Sequence, residues 1–240
     1  MIGRILWLAA LLSIAVFTAA LQFDRQSEAA PQIAPLVPAP LRGYAQAQIA
    51  AAALEQDDPA AALDAAKELV RRRPMPAEHL TLLAAAQAKA GETDAAVFTI
   101  QLAAQRGWRE RIAQETALRL AVAAGDKPEA ARRYAALLRS NATADELLIE
   151  FAPQVLGEAG GAGQVAFAAI LAGAPRWYEL FLQRGAQVMP PAIFAEVLGL
   201  SLDRGAPFAC EPLQRAAEDL GKRDAAAAAK LTAPIARRCV

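Results

Sequence analysis

The sequence predicts an all-α chain: a solenoid of helical hairpins preceded by an N-terminal transmembrane helix or signal anchor. Turn residues recur at a step of 34, at Asp57, Gly91 and Gly125. The residues behind them keep the same register: Ala62, Ala96 and Ala130, then Ala66, Ile100 and Tyr134, then Leu69, Ala103 and Leu137. A hairpin of this size cannot bury its apolar stripe alone, so a fixed period implies stacking on the next hairpin. No segment alternates apolar and polar residues with the period of a strand.

Residues 5–23 come first. This run of 19 residues holds no charge and approaches the ~20 residues that cross a ~30 Å hydrocarbon core. Arg4 precedes it and Asp24 and Glu28 follow, which favours an N-terminus on the cytoplasmic side. Two fates fit. The segment is a retained anchor in a bilayer, or a signal peptide removed at the small-residue site Thr18-Ala19-Ala20. Either way the remainder lies outside the cytoplasm. The abundance of alanine and arginine suggests a bacterial source, which makes that compartment the periplasm and the membrane the inner one. Residues 24–42 hold Pro31, Pro35, Pro38 and Pro40 and are expected to form a semi-rigid, extended spacer.

Residues 43–142 hold three hairpins. In the first, Ile49, Ala50, Ala53 and Leu54 fall on one helical face, and Asp57-Asp58-Pro59 breaks the helix. Proline suits the first turn of the next helix, where its missing N–H leaves nothing unsatisfied. Leu63, Ala66, Leu69 and Val70 form the second stripe, ended by Pro74 and Pro76. The other two hairpins turn at Gly91 and Gly125, where glycine supplies a left-handed residue after a helix.

The turn glycine, the alanine five residues on, the larger residue four beyond that and the proline near the end together resemble the tetratricopeptide repeat. The first hairpin places Asp57, Ala62, Ala66 and Pro74 there; the second Gly91, Ala96 and Ile100; the third Gly125, Ala130 and Tyr134. The early tryptophan of that family is absent, and Ala53, Gln87 and Ala121 replace its tyrosine. The resemblance covers about half the chain and implies a protein-binding concave face lined by the first helix of each hairpin. The matching partner-binding positions are Tyr44, Gln48, Glu78, Thr81, Leu82, Ile112, Glu115, Thr116 and Arg119. Members that grip a C-terminal carboxylate use lysine and asparagine where this chain has Ala47, Ala51 and Ala85, so that clamp is not expected.

Residues 143–205 read as degenerate helical repeats and 206–240 as a helical hairpin cap, with helices near 207–220 and 223–237 and a turn at Gly221-Lys222. Such a hairpin would bring Cys210 and Cys239 together, and an oxidising compartment would permit a disulfide. Two unpaired thiols in a packed cap are the alternative.

The composition speaks against catalysis. There is one histidine, His79, and serine occurs only at positions 13, 27, 140 and 201. A Ser-His-acid set would need residues from distant repeats, whereas stacked repeats contact neighbours. One histidine and two cysteines do not make a four-ligand zinc site. Gly161-Ala162-Gly163 imitates a dinucleotide fingerprint, but that motif must follow a strand. Glu158, Glu179, Glu196 and Asp203 share no acid–base motif. We therefore expect no enzyme activity, cofactor or metal. Lys and Arg total 25 and Asp and Glu total 25, which gives no general attraction to nucleic acid. The expected partners are a protein and, through residues 5–23, the lipid bilayer. The function this implies is a membrane-anchored periplasmic scaffold or chaperone in envelope assembly, secretion or export. The alternatives are a structural subunit of a membrane complex, or a cell-wall-acting enzyme or its accessory.

Overall fold

The computed structural model describes residues 2–239, and every regular element among them is helical. The chain divides into two compact units, Met1–Gly107 and Trp108–Val240.

The first unit begins with α1 (Ile2–Gln26). Two 3-10 turns follow, Pro31–Leu36 and Ala39–Leu41. Then come α2 (Ala45–Glu55), α3 (Pro59–Arg72), α4 (Ala77–Lys89) and α5 (Thr93–Arg106). Along this series α2 packs on α3, α3 on α4 and α4 on α5. The contacts are alanines: Ala62, Ala66 and Ala86 are fully buried with Leu63 beside them. Small side chains let two helix backbones approach closely, so little area is needed for a tight contact.

The expectation of an extended spacer over 24–42 does not hold. The prolines coil the segment instead, and Ala34 and Val37 are buried against Ala45 of α2. Proline fixes φ near −65°, a value shared by polyproline and by 3-10 turns. The apolar residues between the prolines decide for the compact form.

The second unit starts with α6 (Arg111–Ala123), α7 (Lys127–Arg139), α8 (Asp145–Leu156) and α9 (Ala162–Ala172). A composite helix, α10 (Pro175–Val188), meets α9 at 103°. Then follow α11 (Pro191–Asp203), α12 (Cys210–Arg223), α13 (Ala225–Ala229) and α14 (Thr232–Arg238). The terminal pair differs from the expectation in two ways. Gly221 and Lys222 lie inside α12, and the turn is made by Asp224, whose carboxylate accepts from the Ala227 N–H at 2.9 Å. The last helix is also broken at Lys230-Leu231, between α13 and α14. Cys210 and Cys239 are joined by a disulfide with Cα atoms 5.6 Å apart.

Identical backbone bonding closes three helices. After α4, the Glu92 N–H bonds the Gln87 carbonyl and Gly91 takes φ +79°. After α6, Asp126 bonds Ala121 with Gly125 at φ +72°. After α11, Ala206 bonds Ser201 with Gly205 at φ +79°. This six-to-one bond requires a left-handed residue, which glycine adopts without strain. The first hairpin lacks it. There Asp58, not Asp57, caps α3, accepting from the Ala61 N–H at 3.0 Å with Pro59 behind it.

Large side chains take over the core of the second unit. Phe181 stacks on Phe194 with ring centres 5.2 Å apart and lies 5.9 Å from Phe167, which lies 6.0 Å from Tyr134. Aromatic pairs at such distances add ~0.5–1.5 kcal/mol beyond their buried area. Phe181 sits in a π-helical stretch, Phe181–Gly185. A Cβ on Gly185 would lie 2.9 Å from its ring, so glycine is required there by space. The next residue back, Arg184, is turned onto the α7–α8 connection. It donates to the carbonyls of Leu138 (2.7 Å), Ser140 (2.8 Å) and Thr143 (2.5 Å) and pairs with Asp145.

Two predictions follow from this packing. Ala130 is fully buried, so Ala130→Leu should overpack its contact by roughly 1–3 kcal/mol. Thermal unfolding reads this out, and an unchanged midpoint would mean that no close contact exists there. Burial also pushes the Tyr134 phenol well above its ordinary 10.0, against the opposing field of Arg184. Its neutral form is the one the fold favours. That stability is complete below pH ~10 and is lost as pH climbs beyond it. Tyr134→Phe should therefore flatten the alkaline decline in denaturant midpoint. Tyr178, raised by burial in the same sense, keeps its own share.

Candidate interaction surfaces and the membrane junction

The apolar face of α1 is bare. Ile5, Leu6, Trp7, Leu8, Leu12 and Ile14 are each more than 60% exposed. By length and composition α1 is able to cross a membrane, as is a signal sequence. The bent pair α9–α10 is also apolar, but Phe167, Leu171 and Phe181 are buried in the core of their unit.

At the far end of α1 stands a carboxylate that the sequence reading treated only as a flanking charge. Asp24 is 4% exposed. Its Oδ1 accepts from the N–H groups of Gly43 (3.0 Å) and Ala45 (2.9 Å), and its Oδ2 from that of Tyr44 (3.0 Å). These N–H groups open α2, where no intrahelical acceptor exists. Asp24 thus caps a helix that begins 21 residues downstream. A Cβ on Gly43 would come within 3.0 Å of Oδ2, so the approach depends on glycine. Nothing periodic marks such a contact; the one hint is an acid at the edge of an apolar run.

The basic run Arg71-Arg72-Arg73 holds the same junction from the other side. Arg72 donates to the carbonyls of Ala39 (2.7 Å) and Arg42 (3.2 Å). Arg73 lies over the Tyr44 ring at 4.0 Å. Glu68 accepts from Arg71 and Arg72, and these hydrogen bonds hold its carboxyl down to about 2. His79 is buried, with Nδ1 2.8 Å from the Arg73 carbonyl, and so caps the end of α3.

The nine positions expected to bind a partner fall in both units. In the first, Glu78 is exposed, Gln48 and Leu82 are half-buried, and Tyr44 is half-covered by Arg73. Thr81 is buried, and its hydroxyl donates to the Ala77 carbonyl at 3.3 Å. In the second unit, Ile112, Glu115, Thr116 and Arg119 share one face of α6. Glu115 accepts from Arg111 at 3.2 Å and from Arg119 at 3.0 Å. The Arg119 guanidinium also lies over Phe151 of α8 at 5.0 Å. Ile112 is 52% exposed beside this ladder, as is Ile149 on α8. Exposed pairs of this kind contribute ~0.3–0.5 kcal/mol each, so the ladder sets charge geometry more than stability.

Two of the acids weighed as catalysts, Glu196 and Asp203, are engaged in separate contacts. Glu196 bonds Lys230 (2.8 Å) and Gln164 (2.9 Å). Burial works to raise its carboxyl, and those two hydrogen bonds overcome that and leave it lowered. Asp203 pairs with Arg237 at 2.6 Å. Gly161 opens α9 directly after α8, a helix and not a strand. Among the described residues no three His, Cys, Asp or Glu side chains group as metal ligands would.

No protein-family model, curated protein or solved structure matches the chain.

Removing the cap tests the junction. Asp24→Ala strips three N–H groups of their acceptor, and losing an N-cap costs ~0.5–2 kcal/mol, more where the donors are buried. Hydrogen exchange should speed up at Gly43, Tyr44 and Ala45 and leave α6–α14 unaffected. Unaltered protection at those three amides would mean that the cap does not hold α2.

Proposed function

We propose that this chain is a membrane-anchored scaffold with tetratricopeptide-like hairpins, held by α1 on the periplasmic side of a bacterial inner membrane. Its hairpins bind a protein partner. The observation that carries the reading is the coupling of two features in one rigid piece. A bare apolar helix long enough for a bilayer is clamped by Asp24 to the first of a series of helical hairpins. A simple leader would need no such clamp, whereas an anchor that holds the first-unit hairpins at a set angle does.

The recurrence of one turn geometry at Gly91 and Gly125, 34 residues apart, supports hairpins of the tetratricopeptide kind. The partner face we favour is that of α6. Ile112 offers an apolar contact, Glu115 is neutralised by flanking arginines, and Arg119 leaves a directed positive charge. A partner helix or extended segment carrying an acidic residue would fit such a face.

The test uses the full-length protein in its own membranes. Extraction at alkaline pH should leave it in the pellet with Met1 or its formylated form as the N-terminus. A soluble protein beginning at Leu21 would establish the released form instead. In the same membranes, cross-linking from position 112 should yield one defined adduct, weakened several-fold by Arg119→Glu. An adduct unaffected by that charge reversal would remove the α6 face from consideration.

A further inference from the structure

We propose that residues 31–41 form a lipid-embedded collar against the outer half of α1, with Leu36 among the acyl chains. The proposal rests on the reading of α1 as a membrane span and adds a second membrane-contacting element to it.

The stretch Pro-Gln-Ile-Ala-Pro-Leu-Val-Pro-Ala-Pro-Leu contains no charged residue and lies between Glu28 and Arg42. Its second turn folds back along α1. Pro38 and Leu41 line one groove with Leu12, Val16, Phe17 and Ala20. The remaining residue of that groove, Ser13, donates its hydroxyl to the Ala9 carbonyl at 2.8 Å, so the lining is apolar in effect. Depth follows from helix geometry. At 1.5 Å per residue, Val16 lies ~12 Å below Asp24 along α1. Half of the hydrocarbon layer is ~15 Å thick. If Ile5–Phe23 fills that layer, the groove and the turn beside it sit at acyl-chain depth.

Irregular backbone survives in lipid only when its polar groups are satisfied internally. This segment meets much of that condition, in an unusual way. Pro31, Pro35, Pro38 and Pro40 have no N–H to satisfy. The N–H groups of Ile33, Val37 and Leu41 bond the carbonyls of Ala30, Ala34 and Pro38 at 3.1, 3.2 and 2.9 Å. Arg42 donates to the carbonyls of Pro35 (3.0 Å) and Val37 (2.8 Å), and Arg72 to that of Ala39 (2.7 Å). Both guanidinium groups reach in from the charged end of the segment, as arginines at a headgroup layer do. Leu36 remains 69% exposed. A lone exposed leucine means little. One that projects from a charge-free segment whose next turn lies beside a bare apolar helix has lipid as its natural neighbour.

The experiment places a nitrobenzoxadiazole label on Leu36→Cys and, separately, on Ile14→Cys. Each is the full chain, labelled without reductant so that the native disulfide stays closed, and reconstituted into phosphatidylcholine–phosphatidylglycerol vesicles. Emission from position 36 should shift to the blue and be quenched by a spin label near the headgroup end of the lipid chain. Position 14 should be quenched by a label deep in the chain. Quenching of position 14 by lipid, with position 36 water-like and quenched by aqueous iodide, would refute the collar and leave the anchor standing. Iodide quenching at both positions would refute the anchor and the collar together. A blue-shifted position 36 shielded from lipid and iodide alike would place a protein surface, such as a second copy of α1, in the groove and also overturn the proposal.

Discussion

The Asp24 carboxylate is the central contact between α1 and the hairpins of the first unit. The first turn of any helix has N–H groups without partners, and a negative charge there also meets the positive end of the helix dipole. Asp24 satisfies three of these groups in α2 from the end of α1. The intervening chain is thereby closed into a short loop whose prolines have already given up most of their freedom. Ser27, fully buried, donates its hydroxyl to the Asp24 carbonyl at 2.5 Å and fixes the backbone that presents the carboxylate. Without this clamp the α1–α2 connection would rest on the burial of Ala34 and Val37 and on the Arg72 hydrogen bonds alone. With it, rotation of one is transmitted to the other. A binding face on the hairpins of the first unit is then held at a set angle to α1.

The hairpins were legible in the sequence because they rest on local signals. Gly91 and Gly125 announce a left-handed residue, Asp126-Lys127-Pro128 announces a cap, and alanines at helical spacing announce close contacts. Such signals are read within a few residues. The first hairpin shows the limit: Asp57 stands at the repeat position, yet Asp58 performs the capping, because a β-region residue before Pro59 places its carboxylate over the N–H of Ala61. The period located the turn but not its mechanism.

What escaped the sequence reading depends on distant partners. Prolines over 31–40 support an extended chain and a coiled one equally, and burial of Val37 against α2 decides between them. After residue 143 the period dissolves, since the core there is built from a contiguous aromatic set, Tyr134, Phe167, Phe181, Phe194 and Phe208, and not from repeated alanines. Large rings fill irregular gaps, so helices may vary in length and tilt; the π-helical turn at Phe181–Gly185 is one such adjustment. In the candidate partner face the α6 positions were legible as a helix face, but the stacking of Arg119 on Phe151 was not, because it joins two helices through a connection of irregular length.

The balanced charge acquires a structural meaning in this light. Many cations that lack an acidic partner are spent on helix ends. Lys89 donates to the Leu54 carbonyl at 2.7 Å, Lys127 to that of Gln154 at 2.6 Å, and Arg106 and Arg223 to those of Pro74 and Ala186. Leu54, Gln154 and Ala186 lie where the last carbonyls of a helix have no intrahelical donor and the dipole is negative, and Pro74 lies in the loop just after α3. A long cationic side chain from a neighbouring helix satisfies them and ties two hairpin elements together at once. This use fixes the positions of these cations, while each keeps its positive charge. It also explains why Arg119, held by Glu115 yet still half-exposed, is notable. Its guanidinium is braced from below by Phe151 and from the side by Glu115, so it is held in place while its outer edge faces solvent. A charge fixed in this way would lose little freedom on meeting a carboxylate, and a low ordering cost of that kind supports the proposal of Arg119 as a contact residue.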